Sequence, residues 1–187
     1  MVELLRTKST FAEYAARPET NTLTELIDGA IVVNPPLDQH QAVLGAVHLY
    51  LGYLLRGNGT LRLAPTGLYV DVYNSYEPDM FWVAAHNTSC LLRPDGRYWQ
   101  GAPDLIVEIL SPSTAYRDRG VKFQAYERLG VREYWMVETV HPFLEVHSLS
   151  DQGWYRQVGA FQAGETFDSP VLQQALVVGE FLPAHED

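Results

Sequence analysis

Positive charge is scarce in this chain, and nearly all of it is arginine. Eleven arginines and two lysines, Lys8 and Lys122, stand against 23 acidic residues, for a net charge of −10. This deficit weighs against avid, sequence-blind binding to nucleic acid, which depends on cations that release counterions from phosphate. It excludes neither a carboxylate metal site nor a local basic strip on an acidic whole. There is one cysteine, Cys90, so no internal disulfide can form; a reducing cytoplasm is the expected setting, with the thiol in a structural role. No run of about 18 apolar residues occurs, so no membrane-spanning helix is expected. The opening MVELLRTKST breaks a very short apolar run with charge and does not read as a signal peptide. The six histidines show neither HxxxH nor HExxH spacing, and one cysteine cannot build a zinc knuckle. A glycine-rich phosphate loop and a GxSxG elbow are both missing. Repeats, low-complexity segments and Gly/Ser linkers are absent too.

What is present fits an ordered α/β protein. The chain has 187 residues, 47% hydrophobic and 19% charged, which suits one domain over residues 1–187. Thr10 with Glu13 forms a capping-box pattern opening a short helix over Phe11 to Ala16, ended by Pro18. Asp28-Gly29 between Thr22–Ile27 and Ala30–Val33 is a two-residue hairpin signal, and Pro35-Pro36 breaks the second strand. His40, Val43, Leu44, Val47, Leu51, Leu54 and Leu55 recur at helical spacing, with Asp38 as the expected cap and Gly57-Asn58-Gly59 as the stop. Strands are expected at Leu61–Leu63, Gly67–Tyr73, Met80–Ala84 and Leu105–Leu110. A helix over Arg117–Leu129, closed by Gly130, then leads to strands at Glu133–Val140, Phe143–Leu149 and Trp154–Val158. This order predicts a mixed sheet flanked by helices.

One stretch stands out, Pro103 to Trp135. The unbroken apolar run Leu105-Ile106-Val107 predicts a central strand buried on both faces. Alternation puts Asp104, Ile106, Glu108 and Leu110 on one face. An ionised Glu108 there costs several kcal/mol unless it is paired or metal-bound. It lies near the C-terminal end of its strand, the edge that open α/β sheets favour for ligands. Lys122 falls on the following helix, and an acid at a strand end with a lysine nearby suits metal-dependent phosphodiester chemistry. Asp104 cannot share a metal with Glu108, because four residues of strand span about 13 Å. Asp79, preceding the run Met80-Phe81-Trp82-Val83, can reach Glu108 if the two strands are neighbours about 4.8 Å apart.

Taken together, the blocks Glu25-Leu26-Ile27-Asp28-Gly29, His40-Gln41, Pro78-Asp79, Pro103 to Ser113, then Asp118, Lys122, Tyr126, Gly130-Val131 and Glu133-Tyr134-Trp135 resemble the PD-(D/E)xK nuclease superfamily. More closely, they resemble a bacterial restriction-endonuclease family abundant in cyanobacteria, over about residues 23–138. The resemblance implies a restriction-endonuclease-like α/β core with a central mixed sheet, an N-terminal hairpin and C-terminal strands. It also implies hydrolysis of DNA phosphodiester bonds by a Mg²⁺- or Mn²⁺-dependent endonuclease. Asp79, Glu108 and the carbonyl of Ile109 would hold the ion. The chain departs from the motif at Glu108-Ile109-Leu110, where a lysine is expected at the third position; Lys122 would stand in from the helix. Glu25 would complete the carboxylate cluster. His40 would contact phosphate or support a ligand, with Gln41 beside it, and Tyr126 shares the helix face of Asp118 and Lys122. A homodimer is implied because cutting two strands takes two sites.

Each assignment has a plainer reading. On spacing alone, Lys122 pairs with Asp118 at i, i+4, Asp79 opens a strand, Glu25 is an exposed strand residue, His40 is a satisfied core histidine and Tyr126 packs. The aromatics Tyr134, Trp135, Phe143, Trp154 and Tyr155 read as sheet core or interface before base stacking. The rival function is a nuclease-fold module that binds nucleic acid or protein without cutting; an inert scaffold would leave Glu108 unexplained.

Overall fold

The computed structural model describes residues 8–18, 22–33, 37–112, 114–140 and 142–182. Helix α1 (Phe11–Ala15) opens with the expected capping box, Thr10 and Glu13 bonding reciprocally. The hairpin of β1 (Thr24–Ile27) and β2 (Ala30–Val33) turns at Asp28 and Gly29, with φ of 50° and 76°. With both central residues left-handed this is a turn whose twist matches the flanking strands, and Asp-Gly tolerates that conformation. Pro35-Pro36 lies outside the described residues.

Helix α2 spans Asp38–Leu54 and buries Val43, Leu44, Val47 and Leu51. Each such side chain contributes roughly 1.5–3 kcal/mol by leaving water. Asp38 is the first helical residue rather than the cap. Leu37 occupies the cap position and makes no side-chain bond there, so Asp38 acts through its charge at the positive end of the helix. Next come β3 (Gly59–Leu63), β4 (Gly67–Asp71), β5 (Asn74–Tyr76), β6 (Met80–Ala84), β7 (Leu91–Leu92), β8 (Tyr98–Gln100) and β9 (Leu105–Leu110). The run expected as one strand over Gly67–Tyr73 breaks into the β4–β5 hairpin. Asp71 accepts from the Tyr73 N–H and from the Asn74 side chain, building a turn without glycine or proline.

The helix expected at Arg117 starts two residues earlier and is not uniform. It runs as α3 (Ala115–Arg117), a π-helical turn (Asp118–Lys122) and α4 (Phe123–Leu129), stopped by left-handed Gly130 at φ 93°. Strands β10 (Glu133–Glu138), β11 (Phe143–Leu149), β12 (Tyr155–Phe161), β13 (Thr166–Ser169) and β14 (Gln174–Val177) complete the chain. None of β7, β8, β13 and β14 is expected from periodicity.

The central sheet runs β12-β11-β10-β9-β6-β3 and the second β2-β1-β5-β4-β8-β7, with β13-β14 as a separate hairpin. β9 and β10 are parallel, joined by the α3–α4 crossover, while β6 is antiparallel to β9. All six residues of β9 are buried, as a central strand requires. Leu105, Val107 and Ile109 pack in the core that contains α2. Ile106 and Leu110 pack on the other face with Tyr126, Leu68 and Tyr76. Glu108 shares that second face, at the level where α4 and the second sheet converge.

Candidate active site

The register of β6 against β9 creates the site. The ladder pairs Met80 with Val107 and stops. Asp79, one residue before β6, therefore lies across the end of the ladder from Glu108. The Ile109 N–H, left without a strand partner on that edge, donates to Asp79 Oδ2 at 2.8 Å. His40 Nε2, from the first turn of α2, sits 3.1 Å from the same oxygen. The Asp79 N–H is aimed at Glu108 Oε2 at 3.4 Å. Pro78-Asp79, weak as a motif by itself, is thus brought beside Glu108 as the sequence predicts.

The other oxygen of Glu108 is held from α4 and the π turn. Lys122 Nζ lies 3.0 Å from Oε1, and the Tyr126 hydroxyl donates to it at 2.7 Å. Lys122 also lies 3.0 Å from Glu25 Oε1 and 3.2 Å from Asp118 Oδ1. The i, i+4 pairing with Asp118 and the role toward Glu108 are therefore both real: one ammonium serves three carboxylates. Glu25 is buried, not the exposed strand residue of the plainer reading. It also accepts the Glu77 N–H at 3.0 Å. Gln41 is exposed at the rim of the cavity.

Asp104 behaves as the strand-start acid the spacing requires. It accepts from the Ala84 N–H, the Asn87 side chain and Arg132, and takes no part in the site.

Glu25, Asp79, Glu108, Asp118 and Lys122 line one cavity of about 310 Å³. These four carboxylates surround the Lys122 ammonium, and Glu77 and Arg117 line the cavity too, so five acids stand against two cations, a formal excess of three negative charges. Burial opposes the charge on Lys122, yet the carboxylates of Glu108, Glu25, Asp118 and Asp79 hold its pKa well above the ordinary lysine value. The magnitudes agree. At an effective dielectric of about 20, each close carboxylate contributes roughly 4–5 kcal/mol, against several kcal/mol for desolvating the ion. The surplus negative charge falls on the acids. Burial pushes Glu108 and Asp118 upward, opposed by Lys122 and reinforced by the neighbouring acids. Burial and the Glu108 charge keep the Tyr126 phenol protonated, so it remains a donor.

No three His, Cys, Asp or Glu side chains form a ready metal cage among the described residues. The donors nonetheless suit a small hard cation, which takes one or two carboxylates and keeps waters for the rest. Asp79 Oδ1 receives no hydrogen bond among the described residues, and Glu108 Oε2 receives only the long one from Asp79. These two underused oxygens belong to adjacent acids in an over-negative cavity.

Glu77 was not foreseen in the sequence. It lines the same cavity, and its Oε2 accepts the Thr24 N–H at 3.2 Å. Burial first, then the Glu25 charge, push its carboxyl up to about 7. Its place two residues before Asp79, on the same side of the chain, was the only available signal. Tyr126, read in the sequence as packing first, is a hydrogen-bond donor to Glu108.

Among the aromatics, Tyr134 and Trp135 are fully buried core, while Trp154 is 55% exposed. Cys90 is buried and its thiol is pushed up to about 12, mainly by burial, which keeps it unreactive. No described helix is long and apolar enough to cross a membrane.

Comparison with known proteins identifies the family and the fold. The family model Uma2, with the description "Putative restriction endonuclease", matches residues 11–179. Among solved structures, the fold is similar to the crystal structure of "a putative nuclease belonging to DUF820" from Anabaena variabilis ATCC 29413. The TM-score is 0.74 at 18% identity, over 92% of this chain and 96% of that one. This likeness bears out the expected α/β, restriction-endonuclease-like architecture. No curated protein matches the chain.

Proposed function

The chain belongs to the Uma2 family of restriction endonuclease-like proteins, and we propose that it is a metal-dependent endonuclease that hydrolyses phosphodiester bonds in DNA. One observation carries this reading: Asp79, Glu108, Glu25 and Lys122, from four separate segments of the chain, meet in one over-negative cavity. Asp79, Glu108 and the main-chain carbonyl of Ile109 would hold Mg²⁺ or Mn²⁺. The Ile109 N–H is turned toward Asp79. A strand residue's N–H and C=O face the same edge, so the carbonyl faces the gap left beyond the end of β6. Bound there, the ion would polarise the scissile phosphate and lower the pKa of a bound water.

The side chains supply the rest. Lys122, kept charged by its carboxylates, orients the attacking water or takes up charge that develops on the phosphate. Glu25 and Asp118 hold the ammonium from two further directions. Tyr126 fixes one oxygen of Glu108 and leaves the other available. His40 orients Asp79, as groups behind metal ligands commonly do. The described residues form one such site, and the family resemblance adds a homodimer to the reading, since cutting both strands of a duplex takes two sites.

Plasmid cleavage with Mg²⁺ or Mn²⁺ tests the proposal. Wild type nicks or linearises the plasmid, and Glu108→Ala and Lys122→Ala each lose about 100-fold or more, the scale of removing one group that stabilises transition-state charge. Cleavage that survives both substitutions would overturn it.

A further inference from the structure

A second cavity, of about 340 Å³, adjoins the first. Tyr14, Arg17, Thr24, Glu77, Arg97 and Tyr98 line it, and Glu77 with Pro65 also lines the carboxylate cavity, so a single layer of side chains separates the two. Their charges are opposite. Among the described residues, five carboxylates line the first against Lys122 and Arg117, while Arg17 and Arg97 line the second against one carboxyl, the shared Glu77. Two arginines at one cavity matter in a chain with only 13 cationic side chains and a net charge of −10.

The local structure brings these arginines together. Arg17 follows α1 and is exposed; Arg97 lies in the turn before β8. Arg97 Nη1 donates to the Ala15 carbonyl at 2.9 Å, tying that turn to the end of α1. Tyr14 and Tyr98 pack behind them, with ring centroids 6.4 Å apart, and the Tyr14 hydroxyl is committed to the Thr24 carbonyl. The floor is thus rigid and the cationic groups are at the mouth.

A polyanionic strand cannot be held by the first cavity alone. Its surplus negative charge repels every phosphate except one neutralised at the reacting centre. Cations beside it must hold the adjoining backbone, and planar guanidinium groups match phosphate oxygens well. We infer that the second cavity is a flanking-phosphate subsite, in which Arg17 and Arg97 hold the backbone of the strand whose scissile phosphate lies at the carboxylate cavity. The inference rests on the cleavage function proposed above and names the contact that lets an acidic protein bind its substrate.

The test separates binding from cleavage. A fluorescent DNA oligonucleotide is titrated by anisotropy across a salt series with Glu108→Gln protein, alone and combined with Arg17→Glu or Arg97→Gln. Glutamine at 97 removes the charge while keeping a polar side chain of similar stem. Each added substitution weakens binding about tenfold at 0.1 M salt and makes the log–log salt dependence shallower by about one, the signature of one lost phosphate contact. Unchanged affinity and slope overturn the inference, as does weakening with no change of slope, which assigns the arginines to packing. Failure of the parent protein to bind the oligonucleotide overturns it too. Plasmid that stays intact while these slopes shift would defeat the cleavage reading and leave the subsite standing.

Discussion

Two buried acids bracket the central strand: Asp104, one residue before β9, and Glu108, near its end. They are 2% and 3% exposed and lie on the same face by alternation. Their surroundings differ. Asp104 spends both oxygens on fixed donors: Oδ2 takes the Ala84 N–H and the Asn87 amide, each at 2.8 Å, and Oδ1 takes Arg132 at 3.0 Å. It is a neutralised, closed knot that pins β9 to the loop after β6. Glu108 shares one ammonium with two other acids, leaves one oxygen nearly unclaimed, and opens on a cavity. Burial of an acid is common to both ends. What marks the end at the candidate site is unneutralised charge held in place by packed neighbours.

The most disruptive way to probe this contrast is to remove the cation from the Glu108 end. Lys122→Met leaves the buried Glu25, Glu108 and Asp118 and the part-buried Asp79 with no ammonium. It should lower unfolding free energy at pH 8 by about 3–5 kcal/mol, the cost of stranding buried charge. At pH 5, where the cluster takes up protons, the loss should shrink. Urea unfolding at both pH values checks this, and an equal loss at both would mean that the cluster is not the source.

The next experiment exchanges the two acids. Asp104→Ala removes the acceptor for the buried Ala84 N–H and for the part-buried Asn87 amide and Arg132, and should cost about 2–4 kcal/mol of stability while cleavage per folded molecule persists. Glu108→Gln should do the reverse. Stability should stay within about 1 kcal/mol, because a charge leaves an over-negative cluster, while plasmid cleavage falls by about 100-fold or more. Parallel urea titrations and nicking assays read both quantities. If the two variants lose stability and activity in the same proportion, the distinction between the two ends fails.

How much of this contrast can be seen in the residues alone varies along the chain. The exclusion of Asp104 followed from strand rise, and the pairing of Asp79 with Glu108 from the need for a neighbouring strand; both hold in the β6–β9 register. The direction of Lys122 did not follow from spacing. An i, i+4 pair reads alike in an α-helix and in a π turn, and only the packing of that turn onto Glu25 and Glu108 decides it. Tyr126 looked like core because a buried phenol with an apolar neighbourhood does; its hydroxyl partner arises from another element. Strands β7 and β8 were invisible for a different reason. They are two and three residues long, below the length at which alternation can be recognised.

The smallest effect expected is a pH slope that belongs to the site end alone. Glu77, whose ordinary value is 4.5, is pushed up to about 7 in the folded protein by burial and by Glu25. A raised folded pKa means that the native state binds more protons than the unfolded chain between those values. Stability is then fully present below the ordinary carboxylate value and is lost as pH climbs toward the folded one. Glu108 and Asp118 act in the same direction. His147, held by burial below its ordinary value of 6.5, acts in the opposite direction, gaining stability as pH rises. The informative quantity is therefore the difference between wild type and Glu77→Gln, which cancels His147. Measured as urea midpoints from pH 4.5 to 7, the variant should gain steadily on wild type as pH rises. A difference that stays flat, or that favours wild type at the higher pH, would remove Glu77 from the over-negative cluster and leave its contact with the Thr24 N–H as its only role.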